Sequence, residues 1–302
     1  MPLEPKLDYF ERSISTLASL VNADRLLAGA RSPDSKWIFR GVKDSRWGLQ
    51  TSIERAMADL GEERLNTPLR EKQLLLEFQR RLHHYTPDKP EERDILEWLA
   101  LMQHYGAPTR LLDWTYSFHV ALFFAISSFE QSSEPVPYCA VWALDTKHFS
   151  NKRQFPEVYA AKRQKLIQPK RKGPNWERLK SSQELLNSIA LHVLNNPKAA
   201  VLPVNPFRLN DRLAVQQGLF LMAGRGDITF EENLRQTGLS PENLIQFKIS
   251  NAVDFRRDTL FMLHRMNINH ATLFPGLGGF AQSLHSRLAF PEILRDLRAE
   301  DI

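Results

Sequence analysis

The stretch Gln103-His104-Tyr105-Gly106-Ala107-Pro108-Thr109-Arg110-Leu111-Leu112-Asp113-Trp114-Thr115 sets the strictest condition on how this chain folds. It places an arginine and an aspartate between Leu99-Ala100-Leu101-Met102 and Ala121-Leu122-Phe123-Phe124-Ala125, two flanks with the composition of a core. A helix over His119–Ile126 is apolar almost all round and must be buried on every side. Ser117 stands where it would cap that helix. Charges in such surroundings need partners, because removing one member of a buried ion pair costs about 3–5 kcal/mol. The expectation is one network of Arg40, Arg110 and Asp113. It leaves a surplus positive charge that suits an anionic ligand.

Periodicity orders the remaining chain. Leu7, Phe10, Ile14, Leu17, Leu20 and Val21 recur at helical spacing and predict a helix over 7–29, stopping at Gly29. Trp37-Ile38-Phe39-Arg40-Gly41-Val42 is a run of strand formers, and Trp47-Gly48-Leu49 continues as an extended segment or hairpin partner. Leu69–Tyr85 reads as a helix with Leu74, Leu75, Phe78 and Leu82 inward and Glu71 among the outward charges. A further helix starts near Asp94 and stops near Gly106-Ala107-Pro108. Pro137–Leu144 is a continuous apolar run, expected to be a strand covered on both faces. Residues from about 149 to 200 form a polar, basic excursion ending in the helical pattern Leu185, Ile189, Val193. Strand signals return at 200–204, 219–222 and 244–249, and helical ones at 256–266 and 281–288. Strands and helices interleave without even alternation and without a glycine-rich phosphate loop. This predicts an α+β fold, a mixed or antiparallel central sheet with flanking helices, in a single domain over 1–302.

With 42% hydrophobic and 25% charged residues, the composition is that of a globular chain. The net charge of +5 is compatible with a nucleotide or nucleic-acid partner. The single cysteine, Cys139, excludes an intramolecular disulfide and a cysteine-based zinc site, and fits a reducing compartment. The start MPLEPKLDYFERS has acids and prolines where a signal peptide needs a basic start and an apolar centre. No run approaches the roughly 18 apolar residues that span a bilayer. A cytoplasmic protein without a membrane partner is expected.

Several residues are candidates for chemistry. Arg40 sits between Phe39 and Gly41 at a strand end; its guanidinium keeps its charge and needs a carboxylate, a phosphate or several carbonyls. Gly41 would let backbone or ligand approach closely. A purely structural pair with Asp113 is the competing account. His104 and Tyr105 stand at a helix end, where His104 either caps the C-terminus in its charged form or meets a ligand hydroxyl or amide. Arg212, Gln216 and Gln217 precede a strand; adjacent glutamines on a strand point to opposite faces, so one could face a cleft. No metal site is expected, since His104 and His119 lack ligand spacing and His83-His84 lies in a solvated stretch. There is no GxSxG motif and no acidic cluster of a metal-dependent nuclease. The basic cluster Lys162–Lys172 is either a solvated face or a salt-sensitive guide for a polyanion.

Three separated stretches together resemble the FRG domain family: Trp37–Gly41, then Gln103–Thr115 leading into Ala121–Ala125, and finally Arg212–Phe220 with Ala271–Leu277. The likeness runs from about 30 to 285. Pro275-Gly276-Leu277 departs from the acidic residue expected after the proline. A weaker resemblance links the family to ADP-ribosyltransferase folds, with an arginine ending a first strand and a Ser/Thr-rich strand before a buried helix. Arg40 and Thr109–Thr115 would take those positions, and the resemblance implies that Arg40 contacts NAD as the bound substrate. The third transferase position is usually a glutamate; this chain offers Gln216 or Gln217.

The resemblance thus implies Arg40, Asp113 and Gln217 as catalytic residues. It implies Arg40, Gly41, His104, Tyr105, Thr109, Arg110, Thr115 and Gln216 as NAD-binding ones. Cleaving the nicotinamide–ribose bond develops positive charge on the ribose, which a carboxylate would stabilise. Asp113 is the candidate, with Glu231 and Glu232 as alternatives. The expected function is that of an NAD-binding, ADP-ribosyltransferase-like effector, a bacterial toxin or antiphage component with a nucleic-acid or protein acceptor. The alternative is a non-catalytic module that binds a nucleotide or nucleic acid.

Overall fold

The structure, a computed structural model, describes residues 7–29, 37–127, 136–149, 154–158, 160, 175–195, 197–206 and 211–288. One sheet gathers seven strands: β1 (Phe10–Ile14), β2 (Trp37–Val42), β3 (Leu111–Thr115), β4 (Tyr138–Asp145), β5 (Val201–Val204), β6 (Gly218–Ala223) and β7 (Leu244–Ser250). Their spatial order is β1-β7-β4-β2-β3-β6-β5. β1 runs parallel to β7, and the other neighbours are antiparallel. With helices packed against this mixed sheet, the fold is α+β.

Alternation along the strands assigns the cores. Phe39, Val141 and Phe247 face α5 (Phe118–Ile126), whereas Ile38, Trp142 and Leu244 join the core of the opposite face. β4 is buried from Cys139 to Asp145 because both of its faces are covered. α5 is capped by Ser117, whose hydroxyl accepts from Val120 N at 3.3 Å. It lies so close to β2 that a Cβ on Gly41 would overlap the Ala121 carbonyl oxygen. A third core sits under α3 (Thr67–Arg81), α4 (Ile95–His104) and the helix Asn175–Asn195, against Leu111, Phe220 and Met222. The Cys139 thiol is fully buried, and burial pushes it up to about 12, so it stays protonated.

Some expectations are corrected. The helix predicted over 7–29 is two elements, β1 and then α1 (Leu17–Gly29). The physical reason is the run Ser13-Ile14-Ser15-Thr16. Hydroxyl side chains favour caps over helix interiors, and Thr16 Oγ1 accepts from Ser19 N at 3.1 Å. Phe10–Ile14 pairs instead with Ile245–Ile249. Trp47-Gly48-Leu49 is not a strand; Trp47 N closes a turn on Asp44 O at 3.0 Å. In α3 the inward stripe is Thr67, Glu71 and Leu75, while Leu74 is 40% exposed. The helix predicted over 256–266 begins at Val253, and the last one, predicted over 281–288, begins at Leu277. The basic cluster Lys162–Lys172 lies outside the described residues.

Candidate functional site

β2 pairs with β4 over six residues and β3 with β6 over five, but β2 and β3 meet through one bridge only, Phe39 opposite Thr115. The sheet parts beyond that bridge. A cavity of about 520 Å³ occupies the opening, within the roughly 300–1,000 Å³ of small-molecule sites. Its walls are Phe39 to Val42 on β2, Lys43, Trp47, Gly48 and Gln50 from the loop after β2, Asp113 to Thr115 on β3, and Arg55 on α2 (Ser52–Asp59). Phe124, Arg212, Leu213, Gln216 and Gly218 complete it.

Arg40 spans the opening. Its Nη1 donates to the Asp113 carbonyl at 2.7 Å and lies 3.9 Å from Asp113 Oδ2. The guanidinium thereby takes the place of ladder hydrogen bonds that the two strands do not make. The side chains differ in exposure, 18% for Arg40 and 59% for Asp113, so a sheltered cation faces a hydrated carboxylate. Burial pushes the Arg40 guanidinium below its ordinary value; Asp113 opposes that shift and Arg55 adds to it. Arg40 Nε and the indole Nε1 of Trp114, both on lining residues, are buried without a hydrogen-bond partner. Orphaned donors of this kind are rare and call for water or a ligand.

Asp113 is positioned by residues of its own motif. Gln103 Nε2 donates to Asp113 Oδ2 at 2.9 Å, and Gln103 Oε1 accepts from Thr109 Oγ1 at 2.7 Å. Thr109 is fully buried, and its backbone N donates to Ser52 Oγ at 3.0 Å. The helix end, the turn and β3 are tied together by this relay, which explains the clustering of polar residues there.

Electrostatically the cavity is cationic. Arg40, Lys43, Arg55 and Arg212 line it against one lining carboxylate, Asp113. Arg55 Nη1 donates to Gln50 O at 2.7 Å, and the Arg212 guanidinium lies 4.7 Å from the Phe274 ring centroid.

The expected single network of Arg40, Arg110 and Asp113 does not form. Arg110 is 4% exposed and pairs with Glu71, which is 1% exposed. Arg110 N and Nε donate to that carboxylate at 3.0 and 2.6 Å, and Nη1 donates to Gly224 O at 3.2 Å. The reason is the alternation of β3: Arg110 precedes the strand on the side of α3, away from the opening.

Of the other predicted residues, Gly41, Thr115 and Gln216 line the cavity. Thr115 Oγ1 donates to Gln216 O at 2.7 Å, and Gln216 Nε2 donates to Leu273 O at 2.9 Å. The two glutamines are not on a strand. They form the turn between the helix Asp211–Val215 and β6, where Gln217 adopts φ 49° and is exposed outside the cavity. His104, Tyr105, Thr109 and Arg110 also lie outside its lining. Burial and the nearby Arg212 push His104 below the ordinary imidazole value, so the charged form expected at a helix end is disfavoured. Glu231 Oε1 accepts from Leu49 N at 2.7 Å, and Glu232 pairs with Arg235; neither lines the cavity.

Neither Gln50 nor Arg55 carries a sequence signal of a site, and Trp47 reads from sequence only as part of an extended segment. From sequence Gln103 stands only as the first residue of the motif, and Arg55 is one more charge on a helix. Among the described residues no three His, Cys, Asp or Glu side chains group as a metal site, and no helix is long and apolar enough to cross a membrane.

Residues 35–134 match the family model of the FRG domain, and the matched stretch contains β2, the Gln103–Thr115 motif and α5. The match ends before Arg212–Phe220 and Ala271–Leu277. No curated protein and no solved structure matches the chain.

Proposed function

We propose that this protein binds NAD in the opening between β2 and β3 and breaks the nicotinamide–ribose bond there, as an ADP-ribosyltransferase-like effector. The observation that carries the reading is Arg40: a sheltered guanidinium with an orphaned N–H, sharing its cavity with Arg55 and Arg212. A diphosphate supplies the acceptors and the negative charge that this arrangement lacks. In the reaction the C–N bond breaks with its electron pair leaving on nicotinamide. The ribose carbon carries positive charge until the oxygen of water or an acceptor nucleophile adds to it and gives up a proton. Asp113, oriented by Gln103 and open to solvent, is the carboxylate that would stabilise that charge. A toxin or antiphage role and a protein or nucleic-acid acceptor follow from the family resemblance.

A second reading, a binding module without catalysis, is favoured by one feature. Gln217 lies outside the cavity, and Gln216 Nε2 donates to Leu273 O, so the third transferase position holds no carboxylate and its amide nitrogen is turned to the backbone. Incubation with NAD separates the two. The catalytic reading expects nicotinamide release that falls about a hundredfold in Asp113→Asn, the scale of losing one transition-state electrostatic contact, and also falls in Arg40→Ala. Binding of NAD by calorimetry with no release above Asp113→Asn would establish the module; neither binding nor release would refute both.

A further inference from the structure

The loop after β2 presents an aromatic ring to the cavity and holds it there from both sides. Trp47 is 55% exposed and lines the cavity. On its N-terminal side, the turn is closed by Trp47 N on Asp44 O, and Asp44 is gripped by Arg46, whose Nε and Nη2 donate to the carboxylate at 3.0 and 2.7 Å. On its C-terminal side, Leu49 N is bound by Glu231 Oε1 at 2.7 Å, and a Cβ on Gly48 would overlap that same oxygen. An exposed tryptophan alone means little. A tryptophan whose backbone is fixed on both flanks, beside a cationic cavity, is a preorganised stacking surface.

The second observation is Arg55. It reaches the same cavity from α2 and is held there by the Gln50 carbonyl. α2 itself is anchored by the Thr51–Glu54 capping box, and Glu54 Oε1 accepts from Phe230 N at 2.7 Å. Arg40 and Arg55 are like charges facing one space, with the Asp113 carboxylate 3.9 Å from Arg40. An anion between two guanidiniums relieves their repulsion and can accept from both.

We propose that Trp47 and Arg55 divide the recognition of a purine nucleoside diphosphate: the base stacks on the Trp47 indole, and the diphosphate lies between Arg55 and Arg40. The inference rests on the reading that the cavity takes a nucleotide. It adds which half of a dinucleotide the protein grips and does not require NAD to be cleaved.

The test is calorimetric titration of the full chain and of Trp47→Ala and Arg55→Gln with ADP, inorganic pyrophosphate and NAD, with circular dichroism to verify folding. Both side chains are on the surface of their elements, so the variants are expected to fold. Trp47→Ala is expected to weaken ADP about tenfold or more, the scale of one base–aromatic stack, and to leave pyrophosphate unchanged; Trp47→Phe retains most of the ADP affinity. Arg55→Gln is expected to weaken ADP and pyrophosphate alike by about tenfold. Equal losses for ADP and pyrophosphate in Trp47→Ala, or no loss for ADP, would overturn the proposal. Trp47-dependent ADP binding without NAD cleavage leaves this inference standing and removes the catalytic reading. NAD binding unaffected by either variant does the reverse, and a wild-type chain that binds none of the three ligands overturns both.

Discussion

Glu71→Ala is expected to lose about 3–5 kcal/mol of folding stability, the penalty for leaving one member of a buried ion pair uncompensated. A second carboxylate within electrostatic reach of Arg110, Asp227, is already engaged by Arg225 Nε at 3.0 Å, so it does not take the place of Glu71. The Arg110 guanidinium has two carbonyl acceptors, Ala223 O and Gly224 O, but Asp113 faces the other way. The backbone N of Arg110 would also lose its acceptor. Asp113→Ala provides the contrast: its side chain is 59% exposed and its distance from Arg40 is long, so a loss of no more than about 1 kcal/mol is expected. Denaturant unfolding of the two variants side by side checks this. A large loss in Asp113→Ala with a small one in Glu71→Ala would restore the single Arg40–Arg110–Asp113 network.

Gly41→Ala is expected to destabilise by about 3 kcal/mol, the upper end of what an added methyl costs in a packed core. The obstacle is backbone: the new Cβ would overlap Ala121 O and lie 2.7 Å from Ala125 N. A side chain can rotate away, but α5 can relieve the overlap only by moving off β2. Because β2 also forms one wall of the cavity, ligand affinity is expected to fall with stability. Gly278→Ala is the control. A Cβ there meets nothing within 4 Å, and alanine is the better helix former by about 1 kcal/mol, so that variant is expected to be neutral or slightly stabilised. Equal thermal or denaturant midpoints for Gly41→Ala and the wild type would show that α5 does not pack on β2 as described.

The two variants also separate what local sequence discloses from what it hides. β2, β4 and β7 were legible because apolar runs bounded by turn residues are a local signal, and α4 and α5 because Asp94 and Ser117 announce their starts. β1 was not, since its partner β7 lies at the far end of the chain, and only that pairing makes Phe10–Ile14 a strand. Its apolar spacing fits a helix equally well. Glu71 was placed outside because it stands among charges on an amphipathic helix. What buries it is Arg110, 39 residues away. At the site, Arg40 and Asp113 were legible as charges too close to a core to be accidental. The parting of β2 from β3 was not, because register failure between two good strands leaves no mark in either. Trp47 and Arg55 come to the cavity only through that parting, so no spacing rule connects them to Arg40.

The central claim is that the gap between β2 and β3, bridged by Arg40, is the seat of a nucleotide. A crystal structure of the chain grown with ADP-ribose tests it most directly. The account predicts diphosphate oxygens within about 2.7–3.2 Å of Arg40 or Arg55 nitrogens, between those two strands and beside Trp47. Ligand bound elsewhere, with Arg40 still closed on the Asp113 carbonyl and the gap filled only by solvent, would contradict it.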